Sequence, residues 1–139
     1  MIKNNINLKL ATKIDLEVVV EIDELKRIMQ WEEAIEKNNC YLILSGEEVI
    51  GFTVFNYSFF GHGWLSIIEI KESFRKQGIG EKAVSLIIKM CKTEKLFTST
   101  NQSNGPMRSL LIKMSFTHSG TLDGLDENDP EMFYYKQKG

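Results

Sequence analysis

A basic turn with two glycines lies near the middle of the chain and reads Arg75-Lys76-Gln77-Gly78-Ile79-Gly80. A strand-like segment precedes this turn, and an amphipathic helical pattern follows it. A helix start carries unpaired backbone N–H groups and a partial positive charge, and glycines let an anion approach the backbone closely. Arg75 and Lys76 add full positive charges beside it. The sequence therefore predicts a phosphate-binding turn at this position.

The segments on either side of the turn predict how it is held. Residues 65–70 are mostly apolar and β-branched, which indicates a short buried strand. Residues 81–92 carry their polar side chains in one narrow stripe at helical spacing, and the remainder of this segment is apolar. This pattern predicts a helix that lies on a sheet. We therefore expect the rest of the chain to be organised around residues 66–90.

The composition is that of an ordinary globular domain, with 42% hydrophobic and 26% charged residues. At 139 residues the chain predicts one domain over 1–139. A net charge of −2 gives no electrostatic signature for nucleic acid. No apolar run approaches the ~20 residues needed to span a bilayer, and the N-terminus lacks the apolar core of a signal peptide. We expect a cytoplasmic protein that binds neither nucleic acid nor membrane.

The first half of the chain predicts a strand, two helices and a hairpin. Residues 6–11 alternate and predict a strand, and Thr12-Lys13-Ile14-Asp15 resembles a capping box that starts a helix. The apolar positions expected for this helix are Ile14, Val18, Ile22 and Leu25. A second helix is expected over residues 28–37, with Ile28, Trp31 and Ile35 on one side. Residues 41–44 and 49–57 predict the two strands of a β-hairpin.

The second half predicts a strand at residues 96–100, a helix capped by Asn104, and two last strands at 116–121 and 132–136. The strands at 65–70 and 96–100 are joined through a helix, so they should be parallel neighbours. The other connections favour antiparallel pairing. The predicted fold class is α+β, a mixed and mostly antiparallel sheet with one parallel β-α-β crossover and helices on both faces.

Two motifs connect this pattern to a known family. Residues 75–80 match the signature (Arg or Gln)-x-x-Gly-x-(Gly or Ala) between a strand and a helix. Residues 104–116 align with Asn-x-x-Ala-x-x-Leu-Tyr-x-Lys-x-Gly-Phe. Asn104, Leu110, Lys113 and Phe116 agree with this second motif, whereas Met107, Leu111 and Ser115 differ. Over nearly its whole length the chain resembles the GNAT superfamily of acetyl-CoA-dependent N-acetyltransferases.

The resemblance implies where acetyl-CoA would bind. Backbone groups of the turn would hold the coenzyme A pyrophosphate, and residues 68–70 would pair with the pantetheine arm as an added strand does. An N–H near Ile70 would contact the thioester oxygen, and Asn104 would touch the cofactor from the next strand. The cofactor-binding residues implied in this way are Ile68, Glu69, Ile70, Arg75, Lys76, Gln77, Gly78, Ile79, Gly80, Glu81 and Asn104.

The catalytic acid and base are not at the positions the family usually provides. An alkyl amine with a pKa near ~10 must lose a proton before or during its attack on a thioester. The usual base positions are Trp64, Ser66 and Ser99 here, and the usual acid position is Leu111. We predict direct attack with a water-relayed proton path that ends at Glu69, a lone carboxylate in an apolar strand. An ordinary ion pair of Glu69 at the rim of the sheet stays open.

The acceptor is not named by the sequence, but its expected surroundings are acidic. In GNAT-like proteins the first two helices and the last loop border the acceptor site. Acidic side chains in these segments would favour a cationic primary amine, and they are Glu32, Glu33, Asp126, Glu127 and Asp129. Acetyl-CoA and this amine are the expected partners, with no metal. Association of two chains through the final strands stays open.

Other interpretations of the same residues also stay open. Residues 78–83 fit the dinucleotide fingerprint G-x-G-x-x-A, but several polar residues separate the preceding strand from the glycines. His62 could act as a base or lie in an exposed turn, and Cys91 is expected to be a packed thiol. Because the acid and base are missing, a non-catalytic acyl-CoA-binding module and a protein-interaction domain are the alternative functions.

Overall fold

The computed structural model describes residues 5–138. The sequence prediction that the N-terminus is not a signal peptide concerns a segment that lies mostly outside these residues. The described part contains one sheet of seven strands. The strands are β1 (Ile6–Leu10), β2 (Cys40–Ser45), β3 (Glu48–Phe59), β4 (His62–Ile70), β5 (Lys95–Asn101), β6 (Thr117–Leu122) and β7 (Glu131–Gln137). The helices are α1 (Leu16–Ile22), α2 (Ile28–Glu36), α3 (Ile79–Met90) and α4 (Gly105–Lys113).

The strands follow the order β1-β2-β3-β4-β5-β7-β6 across the sheet. Only the β4–β5 pair is parallel in the described residues, and α3 makes the crossover between its two strands. All other neighbouring pairs are antiparallel. The predicted mixed sheet with a single parallel crossover is therefore confirmed.

Helices cover both faces of this sheet. Leu42 packs in a core cluster with Val19 and Trp31, which belong to α1 and α2. Its neighbour Ile43 packs with Ile79 of α3. Because successive strand residues point to opposite faces, α1 and α2 lie on one face and α3 on the other. We call these the α1–α2 face and the α3 face.

The sheet opens between its two parallel strands. The pairing of β4 with β5 ends where Leu65 meets Thr98, although β4 runs on to Ile70 and β5 to Asn101. A β-bulge falls at the same place, because Val54 pairs with Ile67 while Phe55 pairs with Leu65. Ser66 is the extra residue of this bulge. The bulge re-aims β4 just where it leaves β5, which produces a gap in the sheet.

The first helix is shorter than the sequence predicts. The capping box is present, since the Thr12 N–H donates to Asp15 Oδ2 at 2.8 Å, but it opens a 3-10 turn before α1. Ile14 lies in that turn and is 89% exposed, and Leu25 lies beyond the helix and is 70% exposed. Ile14 and Leu25 therefore lie outside α1, contrary to the prediction, whereas Ile28 begins α2 and is 52% exposed there. A helix broken at Asp23 cannot keep one apolar stripe in register with the sheet.

Candidate active site

The start of α3 carries the features that an anion site needs. Gly78 is the residue before the helix, its φ is +79°, and no side chain caps the helix start. A Cβ atom at Gly78 would meet nothing within 4 Å, so the backbone there is open to a ligand. The first N–H groups of α3 have no acceptor within the helix itself. This end of the helix is therefore suited to bind a diphosphate through its backbone.

The second glycine of the turn has a different role. A Cβ atom at Gly80 would lie 3.4 Å from the Leu110 side chain in α4, an ordinary packing distance, so Gly80 faces the neighbouring helix and not open space. A salt bridge of 2.9 Å between Lys113 and Glu81 also joins these two helices. Gly78 therefore leaves space for a ligand, while Gly80 faces a neighbouring helix.

A cavity of about 760 Å³ lies against the turn and along the outer side of α3. Its lining residues are Ile6, Lys76, Gln77, Gly78, Glu81, Lys82, Ser85, Leu86 and Lys89. Lysines outnumber carboxylates in this lining, which favours an anionic ligand. Lys76, Gln77, Gly78 and Glu81, four of the residues predicted to hold the cofactor, are thus brought together.

The Arg75 side chain points away from the turn. Its Nε donates to the Ile70 carbonyl at 2.9 Å, and its terminal nitrogen lies 3.1 Å from a Glu24 oxygen and 3.8 Å from a Glu69 oxygen. Its positive charge therefore lies at the end of β4, next to α1. The structure does not bring the Arg75 guanidinium together with the other residues of the signature.

The edge of β4 that faces the gap provides free main chain. Beyond Leu65 this edge has no β5 partner, while the other edge of β4 pairs with β3 up to Ile70. The side chains of Ile68 and Ile70 pack on the α3 face. An extended ligand arm can therefore pair with this edge as an added strand, although Arg75 already occupies the Ile70 carbonyl.

Glu69 points to the opposite face from Ile68 and Ile70. Its side chain is 26% exposed and lies near Arg75. Burial raises the pKa of Glu69, and the charge of Arg75 opposes that rise. Asp23 and Glu24 add to the rise because they are also negative. Glu69 therefore has an ion-pair partner at the rim of the sheet together with a raised pKa.

Asn104 caps α4, as its type and position predict. Its Oδ1 accepts a hydrogen bond from the Met107 N–H at 3.2 Å, and the residue is exposed. The capping oxygen is thus already engaged, while the amide nitrogen of Asn104 stays available at the end of β5. Asn104 is not among the residues that line the cavity at the start of α3.

A second cavity, of about 540 Å³, opens on the α1–α2 face. It lies between α2 and the end of β3, and it reaches β4 at Ser66. Its lining residues are Gln30, Trp31, Glu33, Ala34, Lys37, Asn39, Val54, Asn56, Tyr57, Ser58 and Ser66. Because Ser66 marks the start of the gap, this cavity gives a second molecule access to the gap from the face opposite α3.

The usual acid and base positions contain no acid or base in the folded protein. Trp64 stacks on Phe59 with ring centroids 4.8 Å apart, and Leu111 is fully buried in the core. His62 packs against Phe97 at 5.3 Å, and Cys91 is a buried thiol, as expected. These four side chains therefore have packing roles.

Sequence reasoning missed the role of the acidic loop before β7. Ser99 Oγ donates to Glu131 Oε2 at 2.7 Å, which places a carboxylate next to one of the usual base positions. Asp129 accepts hydrogen bonds from the backbone N–H and side chain of Ser103, and Asp126 accepts one from Asn101 at 2.8 Å. The only available signal was the loop's acidity, because the register of β5 with β7 cannot be read from the sequence.

No helix among residues 5–138 is long and apolar enough to cross a membrane. The same residues contain no cluster of three or more His, Cys, Asp or Glu side chains arranged to hold a metal ion.

The sheet opens between two parallel strands, and the start of α3, which follows Gly78 and has no side-chain cap, packs against the strand end at this opening. The family model for the acetyltransferase (GNAT) family matches residues 10–116. The chain therefore belongs to the GNAT acetyltransferase family and is an acyltransferase enzyme. Acetyl transfer from acetyl-CoA is the activity of this family.

Solved structures agree with this assignment. A GNAT-family acetyltransferase from Bacillus cereus ATCC 10987 is 29% identical with a TM-score of 0.86, covering 96% of this chain and 98% of that one. An N-acetyltransferase from Staphylococcus aureus Mu50 is 20% identical with a TM-score of 0.72 and the same two coverages. The yncA protein of Salmonella typhimurium, solved with its cofactor acetyl-CoA, is 16% identical with a TM-score of 0.73, covering 98% and 95%. No curated protein matches the sequence.

Proposed function

We propose that this enzyme transfers an acetyl group from acetyl-CoA to a primary amine by direct attack. The observation that carries the proposal is that Ile79, the first residue of α3, packs with Ile68 and Ile70, which belong to the part of β4 that has no β5 partner. A diphosphate on the backbone at Gly78 would direct an attached acyl chain along the free edge of β4. The cavity at Ser66 then gives the amine a separate approach from the α1–α2 face.

The residues present fit acetyl-CoA. Gly78 leaves open space where a Cβ would otherwise stand, and Lys76 and Lys82 lie around that space. Backbone groups from Lys76 to Glu81 would hold the pyrophosphate, and Ile68 and Ile70 would offer main-chain hydrogen bonds to the arm. When bound, acetyl-CoA supplies a thioester, whose sulfur is a fair leaving group because a thiol pKa is near ~8.5. The N–H near Ile70 would stabilise negative charge on the thioester oxygen.

The removal of the amine proton is assigned first to a water-relayed path toward Glu69. The raised pKa of Glu69 supports this role, because a carboxylate with a raised pKa is the stronger base. The pairing of Glu69 with Arg75 supports a second role, in which Glu69 holds the Arg75 side chain against the end of β4. The test of the proton path is to replace Glu69 by Gln and to measure kcat/KM across pH. An unchanged pH profile would contradict the role of Glu69 in proton removal.

The acceptor is proposed to be a cationic amine, such as a polyamine or a lysine side chain. Glu32 and Glu33 on α2 are exposed near the mouth of the second cavity, and Glu127 is exposed in the last loop. Their negative charges would attract a cation, and added salt would weaken that attraction. Asp126 and Asp129 contribute charge too, although both are hydrogen-bonded to the β5–α4 turn.

The experiment is an acceptor panel with mass-spectrometric detection. The protein is incubated with acetyl-CoA and each of three probes: spermidine, a lysine-containing peptide and 2-phenylethylamine. We expect acetylated spermidine or peptide, and we expect kcat/KM for these probes to fall as the salt concentration rises. Failure of all three amines to accept an acetyl group would contradict N-acetylation of a primary amine. 2-Phenylethylamine carries one positive charge and spermidine carries several. Equal turnover of the two, independent of salt, would contradict only the proposed preference for a strongly cationic acceptor.

A homodimer through the final strands is a separate proposal. β6 is the last strand of the sheet, and five of its six residues are exposed. Its outer edge is therefore available to pair with a second copy of the chain. Sedimentation velocity over a range of protein concentrations tests this, and a monomer at every concentration would contradict it.

A further inference from the structure

A hydrogen-bonded serine and glutamate near the gap are not used by the function proposed above. The Ser99 hydroxyl donates to Glu131 Oε2 at 2.7 Å across the β5–β7 ladder, and both residues are only partly exposed. The backbone register brings them together, because Asn101 pairs with Glu131 and Ser99 pairs with Phe133. Ser99 and Glu131 are therefore diagonal neighbours on one face of the sheet.

This pair lies at the start of the gap. The last β4–β5 pair joins Leu65 to Thr98, so Ser99 is the first residue of β5 beyond the paired region. Ser66 is the corresponding first residue of β4, and it lines the cavity on the α1–α2 face. Ser66 and Ser99 thus flank the point at which the two strands separate.

Both serines face the same side of the sheet. Leu65 and Leu96 pack in the core cluster beneath α3 and α4. Strand alternation then places Phe97 and Ser99 on the α1–α2 face, which is the face from which the second cavity reaches Ser66. Ser99 does not line this cavity itself, but it lies across the strand separation from Ser66, which does.

The surroundings of the pair are largely aromatic. Phe133 stacks with Trp64 at 6.0 Å and with Phe59 at 5.9 Å, and Phe59 contacts Phe97 at 4.9 Å. These rings lie next to Ser99 in the register of β4, β5 and β7. They reduce the access of water to Ser99, and a hydrogen bond is stronger in such an environment than in bulk water.

Glu131 also differs from Glu69 in its partners. Glu69 lies 3.8 Å from Arg75, whereas no ion pair of the described residues includes Glu131. The Ser99 hydroxyl gives its only proton to Glu131, so the lone pairs of its oxygen remain able to accept an N–H. A serine that donates to a carboxylate and accepts from an amine can relay a proton between them.

We propose that Ser99 binds the acceptor amine and passes its proton to Glu131 in place of the path to Glu69, which leaves Glu69 its ion pair with Arg75; this assignment rests on the proposed amine acetylation. The ammonium form of the reacting nitrogen first loses one proton to water, because only the neutral nitrogen has a lone pair for attack. The neutral nitrogen then forms a bond to the acyl carbon as the carbon–sulfur bond breaks, and the electron pair of that bond stays on sulfur. At the same time one nitrogen proton moves to the Ser99 oxygen, and the Ser99 hydroxyl proton moves to Glu131. Glu131 then loses this proton to water before the next turnover. Ser99 touches the substrate, and Glu131 acts through Ser99.

The test compares Glu131→Gln, Ser99→Ala and the double variant with wild type, using the three amine probes named above. Gln at position 131 keeps an oxygen that accepts from Ser99, but it cannot take the proton. Glu47→Gln is the matched control, because Glu47 is an exposed carboxylate in the β2–β3 turn. We expect kcat to fall by about 10²-fold in Glu131→Gln, with KM for acetyl-CoA unchanged. The kcat of Ser99→Ala should fall by a similar factor, and the kcat of the double variant should fall by no more than that of either single variant.

Two further readouts separate proton transfer from a structural role. Formate should restore part of the activity of Glu131→Ala, because it supplies the missing carboxylate. Calorimetry of spermidine binding to the enzyme with coenzyme A bound should give a Kd at least about tenfold weaker in Glu131→Gln than in wild type. If Glu131→Gln fails to fold, kcat and the spermidine Kd of Ser99→Ala are compared with those of wild type instead.

The outcomes distinguish this inference from the proposed function. Wild type that acetylates an amine while Glu131→Gln keeps the same kcat and the same spermidine Kd would overturn the role of Ser99 and Glu131 alone. Losses that multiply in the double variant would also overturn it, since the two residues would then act independently. Wild type that acetylates no amine would overturn the proposed function and this inference together.

Discussion

Gly78 is held in a left-handed backbone conformation, with φ at +79°, directly before α3. We expect Gly78→Ala to lower stability by about 1–2 kcal/mol, since residues with a Cβ avoid this conformation. Gly61 has a φ of +83° and equally open surroundings, so Gly61→Ala is a matched control for the backbone cost. Only Gly78→Ala should also weaken acetyl-CoA binding, by about tenfold or more, because its Cβ would enter the space left for the diphosphate.

Chemical denaturation measures the stability of the two glycine variants, and titration calorimetry measures their affinity for acetyl-CoA. Equal affinities in Gly78→Ala and Gly61→Ala would show that the diphosphate lies elsewhere. Equal losses in both variants would point to a general loss of folding in place of a local one.

Glu69 makes stability depend on pH in a direction that the structure fixes. Burial raises the pKa of Glu69, so the folded protein holds the proton more tightly than the unfolded chain does. Its contribution to stability is then present at acid pH and is lost as the pH rises through the folded pKa. Relative to wild type, Glu69→Gln should gain stability as the pH rises from the ordinary pKa of a glutamate through the raised pKa of the folded protein.

Thermal unfolding of both proteins across this pH range tests the trend, with Glu47→Gln as the control for removing an exposed carboxylate. A variant that loses stability relative to wild type as the pH rises would mean that the Arg75 ion pair outweighs the cost of burying Glu69. That result would also weaken the assignment of Glu69 as the end of a proton path.

The residues that the sequence could predict are those whose role depends on local backbone. Gly78 and Asn104 stand at helix starts, and a helix start can be recognised from the residues around it. The direction of the Arg75 side chain could not be predicted, because it depends on Glu24, which is 51 positions away in sequence. The Ser99–Glu131 contact likewise depends on a pairing across 32 positions.

At the scale of elements, the connection between α1 and α2 depends on one buried carboxylate. Asp23 is fully buried and accepts bonds from Arg27 at 2.9 Å and from the Trp31 ring nitrogen at 2.7 Å. Burial alone would raise the pKa of Asp23, but the hydrogen bonds from Arg27 and Trp31 hold it well below its usual range. We expect Asp23→Ala to cost about 3–5 kcal/mol, because it leaves Arg27 and Trp31 without their partner.

Urea unfolding of Asp23→Ala measures this cost, and Glu33→Ala on α2 is the control, since Glu33 forms an exposed pair with Lys37. The stability that Asp23 provides should be present above the unfolded pKa of an aspartate and fall as the medium becomes more acidic. A loss below about 1 kcal/mol, similar to that of an exposed pair, would contradict the role of Asp23 as the fixed point of this connection.

The helices and strands show where prediction of secondary structure from the sequence succeeds and where it fails. The strands and α3 were predicted correctly in type and order, because period-two alternation and a broad helical stripe are strong local signals. The extended α1 stripe was wrong because Asp23 accepts hydrogen bonds from the Arg27 backbone and side chain, a local polar contact at the end of the helix that hydrophobic spacing does not report. The bulge at Ser66 was not predicted for a similar reason, since it reflects the pairing of β4 with two different neighbours.

At the scale of the whole molecule, the gap between β4 and β5 leaves the sheet incomplete in its centre. The two halves of the sheet are joined there by only three paired positions, at Gly63, Trp64 and Leu65. A ligand that pairs with β4 and also holds the start of α3 would bridge the opening. Ligand binding should therefore stabilise the entire fold as well as the site.

Acetyl-CoA at about 100 times its Kd should add about 2.7 kcal/mol to the free energy of unfolding. For a domain of this size, that gain corresponds to a rise in Tm on the order of 5–15 °C. Hydrogen exchange should slow at Ile68 and Ile70, whose backbone lies on the open edge of β4. Gly78→Asp provides the comparison, because a carboxylate at the helix start repels the diphosphate and should remove both effects. A full Tm shift in Gly78→Asp would mean that acetyl-CoA is held without the start of α3, and the reaction would then have to be placed elsewhere on the sheet.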